Sequence, residues 1–391
     1  VSGPPRVHLV HQSFGDYVDG LLSGLRSLGP EAVDVRVTTI SSGAATRSRL
    51  RSEPVDHRRL VVPRFRDPRS PIRSMGVVGR LLAEPCDVVH WQAAGNPWVD
   101  LAYLRHLLRR GRGTPSVVTV HDMTPHPGDA TVLPGTFRVI HHLVRRADRV
   151  VVHAPHIRDQ AIAIGAEPDR VRILAHGELG TRYLPADRLP LPPSDEPVVL
   201  FFGRAQGYKG LDLAAEAMPA VAAAVPGARL VVAGSGPSID QVFPPDRALP
   251  PWCELHRGPV PDDLVPELYR RARVVVLPYR EASQSGVAAL AAGLGRPVVA
   301  SRVPGLADIV EDGHSGLLVD AGSAPALAAA LTRVLSDRDL ADRLSAGAHR
   351  VATTTLSWPT IAAELVGLYG EIIDRRVGAS HPGADPAGRR P

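Results

Sequence analysis

Two cysteines in 391 residues, Cys86 and Cys253, are too few and too far apart for a disulfide framework or a structural zinc site, so a reducing compartment is expected. Long apolar runs are missing too. Nothing approaches ~18 consecutive apolar residues, and the opening VSGPPRVHLVHQ lacks the apolar core of an export signal. Together these absences lead us to expect a cytoplasmic chain. Aromatic residues make up only 4%, while alanine, glycine, proline and arginine abound, as GC-rich coding alone would produce. Lysine and asparagine are nearly absent: Lys209 and Asn96 are the single examples.

The charge is uneven. Between Arg47 and Arg73 lie nine arginines against Glu53, Asp56 and Asp67, a net of +6 where the whole chain carries +5. A run of this kind is either a solvated charged loop or a docking surface for an anionic acceptor or an anionic membrane. In the latter case the chain would sit peripherally at the membrane's inner face. Nucleic acid is not expected, because no recognition helix or aromatic stacking motif accompanies the arginines.

Short apolar runs alternate with helix-length segments throughout: VHLVH, VDVRVTT, DVVHW, SVVTVH, RVVVHA and VRILAH, then PVVLFFG, ARLVVAG, RVVVLPY, RPVVAS and GLLVD. Strands so uniformly apolar belong to parallel sheets covered on both faces, which makes this an α/β protein with two doubly wound domains. The proline-rich LPADRLPLPPSDEP reads as a linker over 184–197. It separates a first domain, 1–183, from a second, 198–356. A helix is expected over 357–376, followed by a polar, disordered tail at 377–391.

Ligands of open α/β sheets collect at the carboxyl ends of strands. His11, His90, His121, His153 and His176 each close an expected strand of the first domain. They read as local hydrogen-bonding groups, because no HExxH or Cys/His spacing supports a metal. In the second domain, GRAQGYKG joins a strand to a helix, with Gly203, Gly207 and Gly210 permitting tight turns and Arg204 and Lys209 projecting from it. A planar guanidinium and a compact ammonium in one loop suit a diphosphate approached from two sides. The loop is not a Walker loop, since Lys209 is followed by glycine. A second strand-end loop leads into a helix expected to start near Ser285, so Ser285, Gly286 and Val287 would offer backbone N–H groups to phosphate oxygens. GSGP at 234–237 adds a third flexible strand end. Neighbouring anion-accepting loops point to a nucleoside diphosphate.

These motifs, with SFGDYVDGL, DVVHW, VTVHD, RADRVVVHA and HRGPVPDDLVPELYRRARVVVLPY, make the chain resemble the retaining GT-B glycosyltransferases of the family 4 type over nearly its whole length. The resemblance implies two Rossmann-like domains facing a central cleft, a nucleotide-sugar donor held mainly by the second domain, and the acceptor mostly by the first. It also implies a final helix that crosses back onto the first domain. Carried over by position, Arg204 and Lys209 grip the donor diphosphate, Gly15 lets it close from the other domain, and Val260 holds the base by its backbone. His121 hydrogen-bonds the sugar near the reacting carbon. The family usually carries two glutamates eight positions apart, and here those positions fall on Ala282 and Leu290. Glu281, one residue early, is the carboxylate expected to meet the sugar.

The expected function is therefore metal-independent transfer of a sugar from a nucleoside-diphosphate sugar to an acceptor hydroxyl, with retained configuration and no cofactor. The acceptor would be polysaccharide, lipid-linked or a small natural product. A nucleotide-sugar 2-epimerase and a non-catalytic nucleotide-sugar binder are the alternatives on the same architecture.

Overall fold

The computed structural model describes residues 3–42, 50, 56–93, 96–109, 113–125 and 135–380, the side chains of 377–380 excepted. Part of the basic run (47–49 and 51–55), part of the loop after VTVHD (126–134) and most of the expected tail (381–391) fall outside them.

The first sheet comprises β1 (Arg6–His11), β2 (Asp34–Ser41), β3 (His57–Val61), β4 (Val88–Ala93), β5 (Ser116–Val120), β6 (Arg149–Val152) and β7 (Val171–Ile173). The second holds β8 (Val198–Arg204), β9 (Arg229–Ser235), β10 (Cys253–Arg257), β11 (Val274–Leu277), β12 (Val298–Ser301) and β13 (Gly316–Val319). Spatial orders are β3-β2-β1-β4-β5-β6-β7 and β10-β9-β8-β11-β12-β13, with every named pairing parallel. The strand order reverses between β1 and β4 in one sheet and between β8 and β11 in the other. Crevices at such switch points are where open α/β sheets bind ligands.

Two strands had no counterpart in the sequence reading. β3 (HRRLV) and β10 (CELHR) each lie at one edge of their sheet, opposite β7 and β13, and neither has a fully buried residue. A strand this solvated lacks the apolar run that marks an inner one. The basic run is consequently not a single loop: it contains β3 and enters the helix Ser70–Leu81. His90 also departs from expectation. It does not close β4 but lies inside it, because Trp91, Gln92 and Ala93 continue the pairing with β5 and are all buried.

The linker is anchored. Fully buried Arg296 donates through Nη2 to the Pro192 carbonyl at 2.6 Å and through Nη1 to that of Leu191 at 3.4 Å. The terminal helix runs from Trp358 to Ser380, four residues past the expected end, and crosses back onto the first domain. Its docking needs glycine in the first helix (Gly15–Ser27): a Cβ on Gly24 would lie 2.3 Å from the carbonyl oxygen of Trp358. The Trp358 indole N–H in turn donates to the Glu178 carbonyl at 2.7 Å.

Candidate active site

In the second domain the loop after β8 folds as a single turn, Gly207–Lys209, before the helix Leu211–Ala224. Gly210, at φ +68°, starts that helix so close to the next loop that a Cβ would meet the Pro278 carbonyl oxygen at 2.0 Å, and only glycine fits. Arg204 is exposed at the end of β8. Lys209 is a correction to the projecting side chain expected: it is buried, turned back onto the loop after β11. Its ammonium donates to the Tyr279 hydroxyl at 3.1 Å and lies 4.9 Å from that ring's centroid. The phenol face and oxygen replace water around the charge.

Arg280 laces the same two loops together. Its backbone N–H donates to the Tyr208 carbonyl at 2.7 Å, and its guanidinium reaches the Gly207 carbonyl and both oxygens of Asp212. Ser285 caps the helix Gly286–Gly293, its hydroxyl accepting from Ala288 N–H at 3.2 Å. Gly203 lies beside this helix start, with Val287 Cγ2 3.5 Å from where its Cβ would be. Gly203, Arg204, Lys209, Ser285, Gly286 and Val287 thus belong to one loop pair at the β8/β11 switch point. Glu281 is half-buried in the stretch joining Tyr279 to Gln284, and Val260 is half-buried in the loop after β10. Ala282 and Leu290 are buried in the apolar cluster behind the site, where a carboxylate would lack water.

The first domain answers with rings. His121, His153 and His176 stand one, one and three residues beyond β5, β6 and β7, all packed around Tyr17, with ring centroids 5.0–5.3 Å from it. Burial holds every one of them neutral: His153 is lowered to about 3, His176 to about 4, and His121 falls well below the ordinary value, with repulsion from the other rings adding to burial. His121 Nδ1 lies 3.1 Å from His153 Nε2, and its Nε2 lies 3.2 Å from the Gln92 side-chain amide. Gln284, from the opposite domain, reaches within 3.4 Å of His121 Nδ1. This contact joins the two halves of the cleft.

Phe14 covers His121, the rings stacked at 3.7 Å and 21°. It immediately precedes Gly15, the first residue of the first helix, and is the only non-glycine residue at positive φ (60°) among those described. The hydrogen-bonding role assigned to the strand-end histidines holds for His11, which meets Thr39 Oγ1 at 2.7 Å. The lone asparagine is structural: Asn96 Oδ1 accepts from Trp98 N–H at 3.0 Å, at the start of the helix Pro97–Arg109. Phe14, Gln92, Tyr279 and Gln284 were not picked out from sequence. Only Tyr279 carried a signal, as the polar end of the run RVVVLPY.

Comparison with known proteins supplies the rest. Residues 196–337 match the model described as glycosyl transferases group 1, and residues 14–177 match the glycosyl transferase 4-like domain. A D-inositol 3-phosphate glycosyltransferase of Acidothermus cellulolyticus is 32% identical over 91% of this chain and 85% of its own length. The chain belongs to this glycosyltransferase family. A second relative of the same name, from Thermomonospora curvata, is 31% identical over 75% of this chain and 76% of its own. Among solved structures, sucrose-phosphate synthase of Thermosynechococcus elongatus superposes with a TM-score of 0.69 at 20% identity, covering 95% of this chain and all of its own. Anabaena Alr3699/HepE in complex with UDP-glucose gives 0.68 at 17%, covering 94% and 100%. The fold is GT-B, and the protein is a glycosyltransferase.

Proposed function

We propose that this glycosyltransferase moves a sugar from a nucleoside-diphosphate sugar to an acceptor hydroxyl with retention of configuration and without a metal. The observation that carries the reading is the Gln284–His121 contact. It brings the laced cationic loops of the second domain against the buried rings of the first. Arg204 and Lys209, with the N–H groups at Ser285, Gly286 and Val287, neutralise the departing diphosphate. Gly203 permits the close approach of the loops, Gly15 gives the first helix's N-terminus access from the other side, and Val260 holds the base through its backbone. His121 meets a sugar hydroxyl where Gln284 now stands, and Glu281 lies in the same loop to bind another. Front-face attack, with the departing phosphate accepting the acceptor's proton, fits a site in which charge is concentrated on the leaving-group side.

The acceptor, lipid-linked or a small molecule, docks on the first domain. There β3, the helix Ser70–Leu81 and the stretch between them carry exposed Arg59, Arg64, Arg66, Arg69 and Arg73, and Val61 and Ile72 on the same two elements are 68% and 79% exposed. This face suits an anionic membrane surface. Among the described residues no helix is long and apolar enough to cross a membrane.

The test is incubation with a panel of nucleotide sugars and acceptor pools, read by mass spectrometry with and without EDTA. Transfer that survives EDTA supports the reading. Isomerised donor without transfer, or activity lost to EDTA and restored by Mn²⁺, overturns it.

A further inference from the structure

Six buried contacts form one continuous line through the first domain. The Tyr369 hydroxyl, on the terminal helix, lies 2.6 Å from His90 Nδ1, and His90 Nε2 lies 2.7 Å from Thr119 Oγ1 and 3.3 Å from the Gln92 amide. The other end of that amide is 3.2 Å from His121 Nε2, His121 Nδ1 is 3.1 Å from His153 Nε2, and His153 Nδ1 is 2.9 Å from the Leu174 carbonyl. One terminus has a fixed sense, because a backbone carbonyl can only accept.

The direction follows from that end. His153 must carry its proton on Nδ1. Burial keeps the ring neutral, with its pKa lowered to about 3, so Nε2 is bare and must accept from His121 Nδ1–H. His121 is neutral for the same reason, which leaves its Nε2 bare and in need of a donor. The Gln92 NH₂ is that donor. An amide's two ends have the same shape, so the hydrogen-bond chain decides which atom faces which ring. The Gln92 oxygen then turns to His90, whose Nε2–H donates to it and to Thr119, and whose bare Nδ1 accepts from the Tyr369 hydroxyl. Every bond is satisfied in one direction. The reverse sense would set a bare His153 nitrogen against the Leu174 carbonyl or require a buried imidazolium.

Gln284 meets the same ring nitrogen from the second domain. Placed with Nε2 toward His121, it leaves its buried Oε1 without a partner. Turned over, that oxygen becomes a second acceptor, beside His153 Nε2, for the single His121 Nδ1–H.

We propose that His153, Gln92 and Tyr369 are positioning residues that hold His121 as the Nδ1–H tautomer, so that its single N–H, shared with His153 Nε2, is also the donor that an acceptor in the cleft meets. The tautomer follows from the chain alone; its value to transfer rests on His121 meeting the donor sugar, as proposed above. The helix that crosses back from the second domain thereby supports the orientation of a ring in the first.

Long-range ¹H–¹⁵N spectra of the full chain with ¹⁵N-histidine, with the ring assigned by His121→Gln, test the tautomer directly. His121 should show a protonated Nδ1 and a bare Nε2 at pH 7. Gln92→Glu offers Nε2 only an acceptor and should add a proton there. A parent His121 that is protonated at Nε2, or one that Gln92→Glu leaves unchanged, overturns the chain. Tyr369→Phe keeps the ring and the helix packing, and it should lower kcat several-fold while the affinity for free nucleoside diphosphate, read by calorimetry, stays the same. Should the tautomer be as expected while Tyr369→Phe turns over at the parent rate, the positioning role falls although the chain stands. Loss of nucleotide affinity in Tyr369→Phe would show a merely structural role and also overturn positioning.

Discussion

The two faces of the cleft solve opposite problems. The second domain places Arg204, Lys209 and the start of the helix Gly286–Gly293 on loops braced by Arg280 and Tyr279, a surface that, in the transfer proposed above, would receive negative charge. The first presents imidazoles that burial has stripped of charge, tied by hydrogen bonds whose direction runs to a single carbonyl. A departing diphosphate needs compensation. A sugar carbon developing positive character needs a dry wall with no competing cation. In the transfer proposed above, the division of charge between the two faces would meet both needs.

Acid should separate the domains most clearly. Burial lowers His8, His11 and His176 to about 4, His90 and His153 to about 3, and His121 well below the ordinary value. The second domain's histidines, His256, His314 and His349, are half-buried or exposed. A ring depressed in the folded state takes up protons on unfolding, so it destabilises the fold as pH falls below about 6.5, by roughly 1.4 kcal/mol per ring per pH unit until its folded pKa is reached. Between pH 6.5 and about 4 the first domain should therefore lose hydrogen-exchange protection ahead of the second. Simultaneous loss, or loss in the opposite order, would break the contrast.

On the other face the sharpest change is Lys209→Ala, which removes the buried ammonium that we propose to stand opposite the leaving group. Turnover should fall about 10²–10³-fold, the usual consequence of deleting a preorganised donor. Arg204→Ala should act in the same direction. Lys209→Arg should not fully restore the rate, because a planar, wider guanidinium replaces the buried compact ammonium that meets the Tyr279 hydroxyl and ring. Parent-like turnover from Lys209→Ala, in steady-state assays with a transferable donor, would remove the phosphate assignment.

Much of this contrast was legible in the sequence. The inner strands showed themselves as apolar runs, and strand-end glycines with a lysine, an arginine and a serine-started helix marked the second face. The edge strands β3 and β10 did not show, because none of their residues is fully buried and arginine, histidine and glutamate are tolerated within them, whereas the opposite edges β7 and β13 keep buried apolar residues. The first face was half visible: histidines at strand ends could be counted, but contact among three of them depends on how far each strand runs. Tyr369 is 279 positions from its partner His90, and no local pattern carries such a pairing. Phe14 was hidden for another reason, since nothing in SFGD announces a left-handed phenylalanine.

The basic face should give an intermediate effect. The informative variant changes the exposed Arg59, Arg64 and Arg66 to Gln. The parent should co-sediment with anionic phosphatidylglycerol vesicles at low salt and release at high salt. The variant should bind more weakly by about 1 kcal/mol per arginine, an effect screened within a Debye length. Equal binding by the two proteins, or none by either, would leave the run as a solvated surface.

The smallest effect tests whether the first face stores strain. At φ 60° and ψ 39° Phe14 occupies the left-handed region, which costs an L-residue with a Cβ roughly 1–2 kcal/mol. Phe14→Ala keeps that cost and loses the stack on His121, which is worth about 0.5–1.5 kcal/mol. Phe14→Gly loses the stack as well but relieves the strain, offset in part by the greater freedom of glycine in the unfolded chain. Glycine should therefore be more stable than alanine here by about 1 kcal/mol, the reverse of their order in ordinary helical positions. Urea unfolding of the parent and both variants, followed by hydrogen exchange in the first domain, reads that order. Alanine equal to or above glycine would mean that Phe14 sits over His121 without strain, and that the first helix begins in another conformation.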